Sequence, residues 1–404
     1  MQNKILTALD IGTTKIVALV GVIEQGDTLT VIGHGIVPSA GLKRGVVVNI
    51  EQTTKAIHQA VELAQKMAGQ SVQSVIAGIA GSHVQSLNSH GVVPIRQQEV
   101  QHADIHRVIE AAKAVAIPAD QAILHILPQE FYIDHQDGIQ DPIGMSGVRL
   151  EAKVHVVTGA VSAIANITKC IEQCHLKVQD LVLEPLASSV SVLSEDEKRL
   201  GTCLVDIGGG TTDITVFVGG SVRYSAVIPV AGNQVTNDVA IAFRTPHTAA
   251  ETLKIEHGSV LTVSEGSSIE VPAIADDRPA QSIDPDQLVF VLHARYEELM
   301  QMVAKELNRS QWLPMLASGI VLTGGGSMVR ELDQLASQVF QCPVRVAVPE
   351  LLTGLPDSFA HPKYATAVGL LRYGYQRAIE QPVSSGIPSN TILAKLKRWF
   401  HQYF

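Results

Sequence analysis

The sequence predicts an α/β protein that is built from two similar lobes. Segments with strand-like and helix-like spacing of apolar residues alternate over most of the 404 residues. In addition, one glycine motif occurs twice, as DIGTT at residues 10–14 and as DIGGGTTD at residues 206–213. A repeat at about two hundred residues is too widely spaced for a solenoid, whose units are short. It favours two like domains that face each other.

The first half begins with strands that surround the first glycine motif. The expected strands lie at residues 4–9, 15–24, 28–37, 74–80 and 180–183. Helical spacing of apolar residues predicts helices at residues 51–67, 161–174 and 185–193. Four prolines punctuate residues 83–157, so we interpret this stretch as a small inserted α+β module with one helix at 103–115.

The second half repeats the strand, turn and strand around the second motif. The expected strands lie at residues 203–207, 214–218 and 320–322. The expected helices lie at residues 249–257, from residue 286 onward, at 328–340 and at 364–375. The irregular stretch between 232 and 307 is predicted to form a further subdomain.

These patterns divide the chain into discontinuous lobe cores and appended segments. The boundaries are residues 1–82 and 159–196 for the first lobe core, 83–158 for the inserted subdomain, 197–231 and 308–376 for the second lobe core, 232–307 for its subdomain, 377–390 for a linker, and 391–404 for a terminal amphipathic helix. The linker is rich in proline, serine and glycine, which is typical of a flexible connection.

Composition excludes several other classes of protein. Hydrophobic residues make up 46% and charged residues 17%, which is typical of packed cores rather than intrinsic disorder. No apolar run approaches the roughly 18 residues of a membrane-spanning helix, and the first residues lack the pattern of a signal peptide. Four cysteines indicate a reducing compartment. A cytoplasmic protein is therefore expected.

Each glycine motif has a chemical reason to bind phosphate. Glycine lets the backbone N–H groups of a turn approach an anion, and threonine hydroxyls add further donors. An aspartate at the strand end is compatible with phosphate beside a cation, so Asp10 and Asp206 are predicted to hold Mg²⁺ through waters. Lys15, on the returning strand, is predicted to reach a β- or γ-phosphate. An ordinary glycine hairpin explains either copy alone, but two matching copies favour phosphate binding.

A third glycine loop follows the strand predicted at 320–322. Gly324, Gly325 and Gly326 stand between this strand and the helix predicted from residue 328. The N-terminus of such a helix presents a positive dipole end to a nucleotide. The loop lacks the spacing of a Walker motif or a dinucleotide fingerprint, so a tight turn between strand and helix is the alternative.

Charge is distributed unevenly along the chain. The net charge is −9, yet residues 391–404 carry three basic residues and no acid, so residues 1–390 carry −12. An acidic body of this kind is a poor general binder of nucleic acid, because such binding depends on neutralising phosphates. We therefore expect no nucleic acid among the partners.

The segment 391–404 predicts a helix that lies in a membrane surface. At about 100° per residue, its bulky apolar residues share one face. These are Ile392, Leu393, Leu396, Trp399, Phe400, Tyr403 and Phe404. Lys395, Lys397 and Arg398 lie on the remaining surface, where each contributes about 1 kcal/mol near anionic lipid. The combination is typical of an interfacial helix, and the alternative is a last helix that packs on the protein's own core.

Three loops, in this order, resemble the phosphate and adenosine loops of the actin-like ATPase superfamily. They are DIGTTK at residues 10–15, DIGGGTTD at 206–213 and TGGG at 323–326. EPLA at 184–187 and ATAVG at 365–369 resemble the helices that connect the lobes in this superfamily. Within it, the chain resembles the FtsA family of bacterial cell division proteins. The runs that carry this likeness are GLKRGVVVNI at 41–50, GIAGS at 78–82, VLTGG at 321–325 and YATAVGLL at 364–371.

The resemblance implies that ATP and Mg²⁺ bind in a cleft between the lobes. The implied nucleotide-binding positions are Asp10, Gly12, Thr13, Thr14, Lys15, Asp206, Gly208, Gly209, Gly210, Thr211, Thr212, Asp213, Gly232, Asn233, Asp238, Glu251, Lys254, Gly324, Gly325 and Gly326. Glu184 matches the place where relatives keep a residue near the attacking water, so it is the catalytic candidate. The implied activity is at most a slow ATPase.

The resemblance also implies partners. The module at 83–158 stands where this family carries its distinctive inserted subdomain, and the subdomain at 232–307 would receive the C-terminal peptide of the tubulin-like protein FtsZ. Arg295 and Glu298 share a helix face that would contact the charged ends of that peptide. The alternative is a solvated face with an ion pair between these two residues. Self-association into polymers, anionic lipids and later division proteins complete the expected partners.

The sequence therefore predicts a two-lobed actin-like fold with a mechanical function. ATP would favour polymerisation or closure of the lobes, and the terminal helix would hold the polymer and FtsZ at the cytoplasmic face of the inner membrane, at the division site. Two alternatives share the fold, namely a small-molecule kinase and a PilM-like pilus assembly protein. A kinase would need a dedicated base and an acceptor pocket, and neither alternative explains the lipid-binding segment.

Overall fold

A computed structural model of the protein describes residues 4–24, 28–262, 268–274 and 280–379. Two five-stranded sheets form two lobes, and a four-stranded sheet is inserted into the first. The predicted membrane helix at 391–404 and most of the linker at 377–390 lie outside these residues. Among the helices within them, none has the length and apolar character that a membrane crossing requires.

The first lobe opens with three antiparallel strands, then a small hairpin, a helix and a fourth long strand. These elements are β1 (Lys4–Ile11), β2 (Lys15–Ile23), β3 (Leu29–Pro38), β4 (Leu42–Lys43), β5 (Val46–Val47), α1 (Ile50–Ala68) and β6 (Ser74–Ile79). Most of β1 and β2 is buried, because helices cover both faces of the sheet. Asn49 begins α1 by accepting a hydrogen bond from the N–H of Gln52 at 3.0 Å.

The inserted subdomain has the α+β composition that its proline-punctuated sequence predicts. Its elements are β7 (Gln85–Pro94), α2 (His102–Lys113), β8 (Gln121–Ile133), β9 (Gln136–Ile139) and β10 (Arg149–Ala160). The strands form an antiparallel sheet in the order β7-β10-β8-β9. Ile105, Val108 and Ile109 are buried on α2, which packs on this sheet.

The chain then completes the first lobe and crosses to the second. The elements are α3 (Val161–Glu172), β11 (Lys177–Leu183), α4 (Glu184–Val192) and α5 (Glu195–Leu200). The finished first sheet has the order β11-β6-β1-β2-β3. Because β6 and β11 run parallel to β1, the carboxyl ends of all three strands meet at one edge. Asp10 and Glu184 therefore lie at the same end of the sheet.

The second lobe repeats the strand order of the first. Its elements are β12 (Thr202–Ile207), β13 (Thr212–Val218), β14 (Ser221–Ile228), α6 (Gly232–Phe243), α7 (His247–His257), β15 (Ile269–Val271), β16 (Gln281–Ile283), α8 (Pro285–Arg309), β17 (Ile320–Thr323), α9 (Leu332–Phe340), β18 (Val344–Val346) and α10 (Ala365–Ile379). The sheet order is β14-β13-β12-β17-β18, so β12 and β13 occupy the places that β1 and β2 hold in the first lobe. The internal repeat that the two glycine motifs predict is confirmed.

One predicted helix begins later than expected. The sequence predicts a helix from residue 328, directly after the third glycine loop, but Gly325–Met328 forms a 3₁₀ turn and α9 begins at Leu332. Glu331 precedes α9 in the left-handed region with φ at 66°, so the backbone turns before the α-helix starts. The N-terminus of α9 therefore does not stand at the glycine loop.

Two helices join the lobes behind the glycine hairpins. α4 leaves the first lobe and α10 returns to it, and the two helices pack against each other. Their contact is polar at the side of the hairpins, where the Ser188 and Thr366 hydroxyls are 3.0 Å apart. One turn further along, Ser191 Oγ donates to the carbonyl of Ala365 at 2.8 Å. This junction fixes the base of the cleft in which the predicted site residues lie.

Candidate nucleotide site

The β1–β2 hairpin of the first lobe carries a paired carboxylate. The N–H of Gly12 donates to the carbonyl of Lys15 at 3.0 Å and closes the turn. Asp10 is only 2% exposed, and Lys15 Nζ donates to its Oδ2 at 3.2 Å. Burial opposes the charge on Lys15, but the carboxylates around it, Asp10 first, raise its pKa above the usual value. The first hairpin therefore contains its own cation.

The β12–β13 hairpin of the second lobe has the same turn but two carboxyls. The N–H of Gly208 donates to the carbonyl of Thr211 at 2.9 Å, and Asp206 and Asp213 are direct partners across the strands. Burial raises the pKa of Asp213 to about 8, and the charge of Asp206 adds to this. Burial also raises the pKa of Asp206. Like charges that face each other across a strand pair repel, so this hairpin favours a bound cation or a proton.

Glu184, the first residue of α4, brings a fourth acidic group to the same place. Burial raises its pKa well above the usual value, and the neighbouring carboxylates of Asp10, Asp213 and Asp206 raise it further. Lys15 opposes this effect only in part. Burial and the neighbouring carboxylates therefore favour the neutral form of the Glu184 carboxyl, and a further cation would favour the ionised form.

The two hairpins touch each other across the cleft. A Cβ atom placed on Gly209 would lie 2.2 Å from Thr14 Cγ2, and one on Gly210 would lie 2.6 Å from Thr13 Oγ1. Real side chains do not tolerate such distances, so glycine is required for the lobes to approach this closely. The N–H of Gly45, at the tip of the β4–β5 hairpin, donates to Thr13 Oγ1 at 3.1 Å. The lobes are therefore in contact at the predicted phosphate loops.

A cavity of about 360 Å³ lies between the lobes at this point. Eighteen of the twenty predicted nucleotide-binding residues line it, together with the catalytic candidate Glu184. The two exceptions are Thr212 and Asp238. Thr212 is buried and donates to the carbonyl of Val230 at 2.8 Å, whereas Asp238 lies in a separate groove.

The third glycine loop and α7 form the opposite walls of the cavity. Gly324 has φ at 83°, and a Cβ atom there would lie 2.3 Å from Asp206 Oδ1, so this loop packs directly on the second hairpin. Lys254 Nζ is buried and donates to the carbonyl of Gly232 at 3.2 Å and to Glu251 Oε2 at 2.7 Å. The predicted residues Glu251 and Lys254 are therefore held against the start of α6.

The structure adds lining residues that sequence reasoning missed. The additional side chains and backbone groups belong to Ile11, Gly45, Ala80, Ile255, Met328, Val329, His361, Pro362, Lys363 and Thr366. Gly45 and Thr366 fall within the runs GLKRGVVVNI and YATAVGLL, so a signal existed for them. His361 and Lys363 stand before α10 in no recognisable motif. Ile255 and Met328 give the cavity an apolar wall beside the third glycine loop.

A second groove of about 360 Å³ lies between α6 and α8 on the second-lobe subdomain. Arg295 Nε is 2.5 Å from Asp238 Oδ2, and Arg295 is also paired with Glu298 one turn along the same helix. Apolar residues complete the groove, among them Phe290, which is 76% exposed, and Ile241, which is 68% exposed. Exposed apolar side chains of this size beside an ion-pair cluster are typical of a protein interaction site.

Solved structures with the same architecture define the class of the fold. The PilM component of the "PilM-PilN type IV pilus biogenesis complex" structure matches with a TM-score of 0.66 and 16% identity, over 92% of this chain and 98% of that chain. MreB5 of Spiroplasma citri, in a structure bound to ADP, matches with a TM-score of 0.59 and 15% identity, over 95% of this chain and 99% of that chain. At these identities the likeness shows the fold alone. The protein has an actin-like fold.

Sequence relatives identify the family within this class. A family model for the SHS2 domain inserted in FtsA matches residues 81–158, and a model for the cell division protein FtsA matches residues 203–369. The cell division protein FtsA of Pseudomonas aeruginosa is 51% identical over 413 residues, which cover 100% of this chain and 99% of the relative. FtsA of Escherichia coli K12 is 41% identical over 418 residues, with 100% and 99% coverage. The chain belongs to the FtsA family of cell division proteins.

Proposed function

We propose that this protein is an ATP-binding, actin-like division protein that polymerises on the cytoplasmic membrane and anchors the FtsZ ring there. Membership of the FtsA family supports the role in division. The observation that carries the nucleotide part is the convergence of both glycine hairpins and the third glycine loop on one cavity. Its volume of about 360 Å³ is within the range of small-molecule sites.

The lining of the cavity supports one orientation of the nucleotide. The phosphates would lie between the two hairpins, where backbone N–H groups and Lys15 Nζ offer donors. The adenosine would lie against the third glycine loop, beside the apolar side chains of Ile255 and Met328. Solved structures of MreB5 from Spiroplasma citri with ADP and with AMPPNP, which share the fold, support an adenine nucleotide as the ligand.

Mg²⁺ is proposed to accompany the phosphates beside the second hairpin. Asp213 Oδ1 is buried and has no hydrogen-bond partner, and Asp206 faces it across the strands. In the parts of the chain that the structure describes, no group of three His, Cys, Asp or Glu side chains is placed to hold a metal by itself. This fits Mg²⁺, which keeps several waters and binds through one or two carboxylates together with substrate phosphates. When bound, the ion would offset the charge of the phosphates and of both aspartates.

Glu184 supports binding with slow hydrolysis rather than rapid turnover. A general base must be ionised, and its pKa must lie near the working pH, to accept a proton from water efficiently. Burial and the carboxylates of Asp10, Asp213 and Asp206 raise the pKa of Glu184 well above its usual value. The carboxyl would orient a water molecule near the terminal phosphate, and it could accept the proton of that water only after a nearby cation has favoured its ionised form.

The groove between α6 and α8 is the proposed site for the C-terminal peptide of FtsZ. Phe290 and Ile241 offer exposed apolar contact area, and the Asp238, Arg295 and Glu298 cluster lies at the same groove. An amphipathic peptide with charged ends would bury its apolar residues on the first two side chains. The charged ends of the peptide would exchange partners with this partly buried ion-pair cluster.

Polymerisation and membrane anchoring complete the proposal. MamK, an actin-like protein whose solved structure is a double helical filament, matches the chain with a TM-score of 0.54 and 16% identity. The same fold therefore supports filaments elsewhere. The segment 391–404 supplies the amphipathic pattern for binding anionic lipid at the inner membrane, and polymerisation would strengthen this binding through avidity.

Co-sedimentation with liposomes tests the anchoring role. Full-length protein and a version that ends at Asn390 are mixed with FtsZ and with vesicles that contain either anionic or neutral lipid. We expect only the full-length protein to carry FtsZ into the pellet, and only with anionic vesicles. Equal pelleting by the truncated version would overturn the assignment of the membrane anchor.

A groove variant separates partner binding from membrane binding in the same assay. Phe290→Ser in the full-length chain should still pellet with the vesicles but leave FtsZ in the supernatant. Met315→Ser is the matched control, because Met315 is also exposed, at 51%, and lies outside the groove. If Phe290→Ser carries as much FtsZ as the Met315→Ser control, the peptide binds elsewhere.

A further inference from the structure

The inserted subdomain is bound to both lobes, although it is covalently part of the first. Its side chains donate to backbone carbonyls of β14, which is the edge strand of the second-lobe sheet. These hydrogen bonds run from Ser86 Oγ to Ser225 O at 2.8 Å, from Gln129 Nε2 to Val222 O at 2.8 Å and from Asn88 Nδ2 to Arg223 O at 3.2 Å. In the other direction, Ser221 Oγ donates to the carbonyl of Gln129 at 3.1 Å. We call this set of contacts the β14 seam.

A buried histidine lies at the centre of the β14 seam. His155 is 1% exposed, with Nδ1 at 2.7 Å from Asn88 Oδ1 and Nε2 at 2.9 Å from Ser225 Oγ. Because the amide nitrogen of Asn88 donates to Arg223 O, its Oδ1 faces the ring, and we assign the proton of His155 to Nδ1. Nε2 then accepts from the Ser225 hydroxyl. Every polar atom of the imidazole is satisfied in the neutral form, and burial lowers the pKa of His155 to about 4.

The β14 seam is connected to the nucleotide cavity through the second-lobe sheet. β14 pairs with β13 on both sides of an irregularity at Arg223, with Ser225 opposite Thr215 and Val227 opposite Asp213. Asp213 lines the cavity and lies two residues before Thr215 on β13. A shift of β14 along or away from β13 therefore displaces the strand that carries the Asp213 carboxyl.

The same subdomain also contacts the first-lobe side of the cavity. His125 Nε2, at the centre of β8, accepts a hydrogen bond from the N–H of Leu183 at 3.0 Å. Leu183 immediately precedes Glu184, the first residue of α4. The antiparallel sheet of the inserted subdomain thus contacts β14, which pairs with the strand that carries Asp213, and also contacts the residue next to Glu184.

We propose that Gln129 and Asn88 are positioning residues for the cleft: through the β14 seam, the inserted subdomain sets the separation of Glu184 and Asp213 across the lobes. The expected effect on nucleotide affinity rests on the proposed function, whereas the coupling between the β14 seam and the cleft does not. A chain without the seam populates the binding-competent arrangement less often, and its apparent affinity for nucleotide falls by that fraction.

The test uses the full chain with the double substitution Asn88→Leu and Gln129→Leu, which removes seam donors but keeps side-chain volume. Gln136→Leu is the matched control, because Gln136 is exposed on β9, the strand at the edge farthest from β7. Hydrogen exchange without nucleotide should become faster than in the control at residues 183–187 and 206–213 as well as at 221–226. The Kd for ATP with Mg²⁺ should rise about tenfold.

Two outcomes decide the proposal independently of ATP binding. Faster exchange that stays within the inserted subdomain and 221–226, with 183–187 and 206–213 at control rates, overturns it. If no form of the protein binds ATP, the proposed nucleotide function fails, while the exchange pattern still decides the coupling. Should the double variant not fold, Ser86→Ala removes a single seam bond and should give the same pattern with a two- to threefold change.

Discussion

The two glycine hairpins of this protein have the same backbone and opposite electrostatic character. In the first, the buried carboxylate of Asp10 has a cationic partner, with Lys15 Nζ at 3.2 Å. In the second, Asp206 and Asp213 face each other across the strands and have only hydroxyl partners among the side chains described. Those hydroxyls belong to Ser188, Thr366 and Thr211.

In the proposed complex with a triphosphate and its metal, the two hairpins would therefore have different roles. The first hairpin is close to neutral and offers a lysine to the phosphates. In the second, burial raises the pKa values of Asp206 and Asp213, and the side chains that hydrogen-bond to these carboxyls are the hydroxyls named above. A ligand that brings its own divalent cation therefore complements both hairpins at once.

Removing the lysine from the first hairpin should have the largest effect. Lys15→Met leaves Asp10 buried and unpaired beside Asp206 and Glu184, which should lower the free energy of unfolding by about 3 kcal/mol. The affinity for ATP with Mg²⁺ should fall more than about a hundredfold, since a buried charge partner of the phosphates is lost. Calorimetry and urea unfolding measure the two quantities. Lys4→Met, at an exposed position of β1, is the control. ATP affinity within threefold of the control would show that Lys15 does not face the phosphates.

Adding a side chain at Gly209, where the two hairpins touch, should have the next largest effect. In Gly209→Ala the new Cβ would lie 2.2 Å from Thr14 Cγ2, so the lobes must separate. We expect ATP affinity to fall about thirtyfold, because the closed arrangement becomes a minor population. Thr14→Ser in the same chain removes Cγ2 and should restore most of the affinity. If the second substitution restores nothing, the loss does not come from contact between the lobes.

The buried carboxyl of Asp213 in the second hairpin predicts that the stability of the protein depends on pH. The folded protein holds the Asp213 proton more tightly than the unfolded chain, because burial raises its pKa from 3.8 to about 8. The free energy of unfolding of the nucleotide-free protein should therefore fall as the pH rises between these values. Asp213→Asn lacks this dependence, so its advantage over the parent should grow by about 3 kcal/mol from pH 5 to pH 7.

Urea unfolding at pH 5, 6 and 7 measures this difference, with Asp196→Asn at an exposed position as the control. Saturating ATP with Mg²⁺ should remove the pH dependence, since the cation favours the ionised carboxylates. If the free energy of unfolding changes equally with pH in the parent and in Asp213→Asn, another group of the protein already offsets the charge of Asp213.

The smallest effect is expected at the hydroxyl that supports Asp206. Ser188 Oγ donates to Asp206 Oδ2 at 2.7 Å and favours its ionised form. Ser188→Ala should weaken binding of ATP with Mg²⁺ by about threefold to tenfold, the net value of one typical hydrogen bond. Ser189→Ala on the same helix, where the hydroxyl bonds Leu186 O instead, should bind like the parent.

Sequence reasoning succeeded where chemistry is confined to one turn. The DIGTT and DIGGGTTD motifs predict hairpins with glycine turns, and both are present with the expected strands on either side. It failed where position depends on packing between distant elements. Asp238 follows Gly232 by less than two helical turns, yet it points to Arg295 on α8 rather than to the cavity. His361 and Lys363 reach the cavity from the short 3₁₀ turn Pro362–Tyr364 and its preceding residue, which carry no recognisable sequence motif.

By itself, the sequence determined the two-lobed repeat, the turn residues of both hairpins and the family, because local backbone geometry and glycine spacing are encoded within short segments. Only the tertiary structure decided which carboxyls share a cavity, which of them has a cation, and that the inserted subdomain contacts both lobes. These properties depend on burial and on distances between residues far apart in the chain. Asp213 interacts with Asp206, for example, only because the pairing of β12 with β13 brings the two side chains together.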